Sequence, residues 1–179
     1  MKKLVVVLLA ASLAILASTG VAAAGTTVKA IEFDLEGEYV SYEPVTGIET
    51  SVPASAFLTG NIRDKGGTRY LSPLTGTITI DGMEHNILVK AAKQSEPIYY
   101  WEWEEGTPGE YYYKGYHVYS FVEVNIEGDK CIGWLFWYKV HWEYYGIVID
   151  EEMTELEFNG VVDGRWVTGY LEGGLPTID

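Results

Sequence analysis

Short runs of β-branched and aromatic residues separated by Gly-containing turn dipeptides restrict this chain to an antiparallel β fold. Thr75 to Ile80 meets Asp81-Gly82 and returns as Met83 to Lys90. Both positions of such a two-residue loop must tolerate positive φ, which Asp and Gly do at little cost, so this is a strong hairpin signal. Leu156 and Phe158 precede Asn159-Gly160, and Asp163-Gly164 precedes Trp166 to Leu171. Ile31, Phe33 and Leu35 alternate with charged neighbours, and Glu36-Gly37 leads into Tyr39 to Tyr42. Ser55 to Arg63 is closed by Asp64-Lys65-Gly66-Gly67. Pro97 opens a run through Tyr99, Trp101 and Trp103 that ends in a loop holding Gly106, Pro108 and Gly109. Helical periodicity is absent beyond the first 24 residues, as are linkers and internal repeats.

The hairpin around Gly128 carries the largest apolar stripes. Every even position from Ile132 to Tyr144 is large: Ile132, Trp134, Phe136, Tyr138, Val140, Trp142, Tyr144. The preceding strand offers Tyr116, Val118, Val122, Val124 and Ile126 in one phase, interrupted by Ser120. A two-residue turn at Gly128-Asp129 sets these stripes on opposite faces. A three-residue turn, Glu127-Gly128-Asp129, pairs Val124 with Ile132, Val122 with Trp134 and Val118 with Tyr138, so that one face holds both. At roughly 1.5–3 kcal/mol per large side chain buried, that register is the expected one.

The same register predicts a second face on which Phe121 opposes Leu135, Tyr119 opposes Trp137 and His117 opposes Lys139, with His141 diagonal to His117. Tyr119, Phe121, Leu135, Trp137, His117 and His141 are therefore the candidate ligand- or partner-binding residues, either covered by another segment or exposed as an aromatic surface. His117, His141 and Glu143 are of metal-ligating type, but Lys139 lies between the two histidines and repels a cation. His85, in phase with Met83, Ile87 and Val89, reads as a core histidine. The clusters Glu102/Glu104/Glu105 and Asp150/Glu151/Glu152 lack calcium-loop spacing and read as solvated turns. No metal and no cofactor is expected.

Catalytic signatures are sparse: there is no GxSxG, no glycine-rich phosphate loop and no nucleotide fingerprint. Glu143-Tyr144-Tyr145, with Ile147 and Val148 just after, resembles the nucleophile strand of the small jelly-roll xylanases. The resemblance implies a Glu pair with Glu143 as nucleophile and an acid/base Glu in a much later strand, yet only 34 residues follow Tyr145. A small glycoside hydrolase is accordingly a minor alternative, and the reading leans to a non-enzyme.

Residues 1–24 read as an export signal: Lys2 and Lys3, the apolar run Leu4 to Leu16, and Ala22-Ala23-Ala24 before Gly25. Cleavage would leave one domain, 25–179, in which 10 of the 12 Lys and Arg remain against 26 Asp and Glu, a net charge of −16. Such a surface repels phosphate backbones and anionic lipid, so nucleic acid is not expected as a partner, nor stable membrane insertion after cleavage. An outer-membrane barrel shares the signal and the alternation, but Ser55 to Arg63 and Thr75 to Ile80 lack a lipid-facing stripe. Cys131 is the only cysteine, so no internal disulfide forms.

The sequence therefore predicts an all-β antiparallel meander of roughly nine to eleven strands, closed or partly closed into a barrel, with a two-sheet sandwich as the alternative. The 25 Phe, Trp and Tyr residues point to a secreted or cell-envelope binding protein that takes a small molecule or glycan in an aromatic lumen or on an aromatic surface. A structural or interaction protein of the cell envelope, with self-association through the second face, is the other class.

Overall fold

The computed structural model describes residues 26–92 and 97–179, all strand and turn with no helix; the expected export signal lies outside these residues. Eleven strands form one antiparallel sheet: β1 (Thr26–Glu43), β2 (Ile48–Lys65), β3 (Thr68–Leu71), β4 (Leu74–Ile80), β5 (Met83–Ala91), β6 (Tyr99–Thr107), β7 (Tyr111–Ile126), β8 (Asp129–Tyr144), β9 (Ile147–Val162), β10 (Arg165–Gly173) and β11 (Thr177–Ile178). Eight of them follow one another as β1-β10-β9-β8-β7-β5-β4-β2, and pairing of β2 with β1 closes the series into a ring.

Alternate residues of the eight strands fill the ring. Ile31, Phe33 and Leu35 of β1 meet Leu58 of β2, Ile78 of β4, Val89 of β5, Val122 and Val124 of β7, Leu135 of β8, Leu156 and Phe158 of β9, and Leu171 of β10, all fully buried. Phe33 meets the Trp137 ring edge-on at 5.7 Å between centroids. Large rings fit because glycines face them: a Cβ built on Gly169 would lie 2.2 Å from the Phe158 ring. Cys131 is buried here, and loss of solvation, with Asp129 nearby, pushes its thiol up to about 11.

Besides Gly66-Gly67 between β2 and β3, four two-residue turns set the registers. Asp81-Gly82, Glu127-Gly128, Tyr145-Gly146 and Asp163-Gly164 each place both residues at positive φ, the geometry whose twist matches that of the flanking strands. The first and last are as the dipeptides predict. The second overturns the three-residue turn. Ile126 pairs with Asp129, so Val124 opposes Cys131, Val122 opposes Gly133 and Val118 opposes Trp137. The buried stripe of β7 is as expected, but β8 presents its odd residues to the interior, and Ile132 is 66% exposed where Leu135 is fully buried. The interior of an eight-stranded ring is only wide enough for side chains to fill. With Phe33, Trp137 and Phe158 already there, the small residues Cys131 and Gly133 fit beside them, and Trp134, Phe136 and Tyr138 are left outside.

Two further differences concern strand continuity. Glu36-Gly37 and Asn159-Gly160 do not interrupt β1 or β9. Gly160 instead allows close approach, since a Cβ there would lie 2.7 Å from Cys131 Sγ. β8 ends at the tight turn Tyr145-Gly146.

Candidate functional site

Beyond the ring, β7, β8 and β9 continue as a sheet, and β6 joins them by pairing with residues 111–119 of β7. Its two faces differ sharply because side chains alternate along each strand. The outer face collects Tyr99, Trp101 and Trp103 from β6 and Tyr113, His117, Tyr119 and Phe121 from β7. β8 adds Trp134, Phe136, Tyr138 and Trp142.

These rings contact one another across the strands. Tyr99 stacks on Tyr119 at 4.8 Å between centroids and Trp103 on Tyr113 at 5.7 Å. His117 lies 5.4 Å from Trp103 and 6.0 Å from Phe136, joining the β6 and β8 rows. Trp103 lies over Gly115, where a Cβ would come within 2.9 Å of its ring, and its indole N–H is shielded with no partner among the described residues. Tyr119, Phe121, Trp134, Phe136 and Glu155 line a shallow depression of about 420 Å³. Carboxylates border the face: Trp134 Nε1 donates to Glu155 at 3.3 Å, and the Tyr138 hydroxyl donates to Glu151 at 2.7 Å. The bond to Glu151 is the main reason the Tyr138 phenol is pushed up to about 12.

Of the six sequence-derived site residues, Tyr119, Phe121 and His117 come together on this face. Leu135 and Trp137 do not: the shift of register carries them into the ring, where Trp137 is 3% exposed. In their place Phe121 opposes Trp134, Tyr119 opposes Phe136 and His117 opposes Tyr138. His141 is on the opposite face, with Lys139. Trp134, Phe136 and Trp103 are the residues the sequence reading leaves out of the site; the uninterrupted even-numbered aromatic stripe of β8 was the signal for the first two. His85 is partly exposed and pairs with Glu127 at 3.5 Å.

The inner face of the extension is polar. His141 Nδ1 lies 2.7 Å from Asp150 and Nε2 3.0 Å from Glu143, so the imidazole bridges two carboxylates, an arrangement that favours its doubly protonated form. The Asp150 and Glu143 bonds therefore raise its affinity for the proton. Glu143 also accepts from the Gly109 N–H at 2.9 Å, and that bond together with His141 lowers its pKa. An ionised carboxylate held this way is a brace between the β6–β7 and β8–β9 turns. The signs define a window. The raised His141 contribution is complete below its unfolded pKa and fades as pH rises through the folded value. The lowered Glu143 contribution is present above its unfolded pKa and fades as pH falls through the folded one. The imidazole resonances of His141 are accordingly expected to titrate above the ordinary histidine range in an NMR pH series, and Asp150→Asn is expected to move the midpoint down.

The acidic clusters are on strands, not turns. Glu102, Glu104 and Glu105 lie on β6, an edge strand, and Asp150, Glu151 and Glu152 on the stretch of β9 that only β8 covers. Charge along an unpaired edge discourages pairing with other chains. Among the described residues no group of three or more His, Cys, Asp or Glu is placed to hold a metal ion. No protein-family model matches the chain, and neither the curated proteins nor the solved structures contain a significant match to it.

Proposed function

We propose that the protein is an exported, non-catalytic binding module that recognises a glycan on the outer face of β6–β9. The observation that carries this reading is the continuous row of exposed and half-exposed rings from Trp101 to Trp142, bordered by carboxylates. The C–H faces of pyranose rings stack on aromatic side chains, and Glu151 and Glu155 are placed to accept from sugar hydroxyls. With a net charge of −14, the chain favours neutral or cationic glycans over anionic ones. We read the ring of eight strands as a β-barrel, and its filled interior favours surface recognition over uptake of a glycan into the lumen.

Affinity electrophoresis through gels containing neutral polysaccharides tests this. Retardation by at least one of them is expected, with Tyr119→Ala and Trp134→Ala each weakening binding about tenfold, equivalent to ~1.4 kcal/mol, while the melting temperature stays near that of the parent. Unretarded migration across a panel of glucans, xylans, mannans and chitin oligomers would remove the proposal.

A further inference from the structure

All four turns that join β1 to β2, β4 to β5, β7 to β8 and β9 to β10 lie at the same end of the ring, opposite the projecting sheet. The last three of these turns border a cavity of about 500 Å³ whose lining includes Tyr39, Ile80, Ile126, Asp129, Val162 and Val167. The volume is within the range of small-molecule sites. Its depth is apolar, from Ile80, Ile126, Val162 and Val167, and its rim is charged.

Two observations indicate what the cavity takes. The first is Tyr39, 8% exposed and packed against Phe158 at 6.5 Å between centroids. Its hydroxyl makes no hydrogen bond to any described residue and is not sealed off from solvent, so it is free to bond a molecule that enters the cavity. The second is the balance of charge at the rim. Glu127, Asp129 and Asp163 lie there, whereas the one guanidinium is already engaged, Arg165 with Glu43 at 3.4 Å, and the His85 ring faces Glu127 at 3.5 Å. Asp129 accepts the Asp163 N–H at 2.8 Å, which fixes one carboxylate at the opening while leaving its second oxygen available.

We propose that the turn-end mouth of the ring binds a small molecule with an apolar ring and a protonated amine, the ring against Ile80, Ile126, Val162 and Val167 and the polar end between the Tyr39 hydroxyl and the rim carboxylates. Neither the aromatic outer face nor its glycan enters this site, so the two readings stand or fall separately.

Titration of the full chain, with Ile and Val methyl groups labelled, against 2-phenylethylamine and 3-phenylpropanoate provides the test. The amine is expected to give saturable shifts at the Ile80, Ile126, Val162 and Val167 methyls, and the carboxylate to bind at least tenfold more weakly. Tyr39→Phe is expected to weaken the amine about fivefold, the loss of one hydrogen bond. Val162→Trp, which fills the cavity from a partly buried position, is expected to abolish the shifts. Unsaturable shifts, equal binding of amine and carboxylate, or a Tyr39→Phe protein that binds as the parent does would each overturn the site.

Discussion

Trp137→Ala is expected to lose about 3–5 kcal/mol of stability, whereas Trp134→Ala, three residues earlier on the same strand, is expected to lose no more than about 1 kcal/mol. Urea unfolding followed by circular dichroism reads both. Trp137 is 3% exposed and meets Phe33 edge-on, within strands paired on both sides that resist closing over the space it would leave. Trp134 is 45% exposed and gives up only a 3.3 Å bond to Glu155. Because whole domains are stable by only about 5–15 kcal/mol, the first change removes a large part of the total. The contrast is also a direct test of register. The three-residue turn places Trp134 in the core and Trp137 outside, so the reverse order of damage would refute the Glu127-Gly128 turn.

Gly133→Val is expected to cost at least about 3 kcal/mol, at the upper end of overpacking penalties, and to leave little folded protein in a thermal melt. A Cβ at this position would lie 1.9 Å from the Glu157 carbonyl oxygen and 2.7 Å from Phe158 Cα. Those are backbone atoms of the neighbouring strand, so no rotamer relieves the clash and β8 and β9 must separate. The adjacent Ile132→Val is the control: its side chain is exposed, and the variant is expected to melt within a few degrees of the parent. A stable Gly133→Val protein would mean that β8 does not pair with β9 as described.

Much of the fold was legible because its signals are local. Asp81-Gly82 and Asp163-Gly164 need only two residues that accept positive φ, and both form the turns their composition predicts. The alternation of Ile31, Phe33 and Leu35, and of Val118, Val122, Val124 and Ile126, identifies buried faces because one side chain in two points the same way on any strand. Tyr119, Phe121 and His117 were recognisable as site candidates for the same reason. The polar bridge of Asp150, His141 and Glu143 was only half visible: the residues are near one another in sequence, but their convergence depends on the Tyr145-Gly146 turn, whose first residue carries no strong turn preference.

By itself, then, the sequence determined that the chain makes antiparallel strands, roughly where they turn, and that it carries more aromatic surface than one core needs. Only the tertiary structure decided which of the two apolar stripes of β8 goes inside. Both are large enough to bury, and the choice turns on a single residue in the loop, since a slip of one exchanges every side chain between faces. Closing eight strands into a ring limits the interior volume, and that limit selects the stripe with Cys131 and Gly133 beside Leu135 and Trp137. The bulkier stripe is thereby turned outward, and with it the aromatic face on which the proposed function rests.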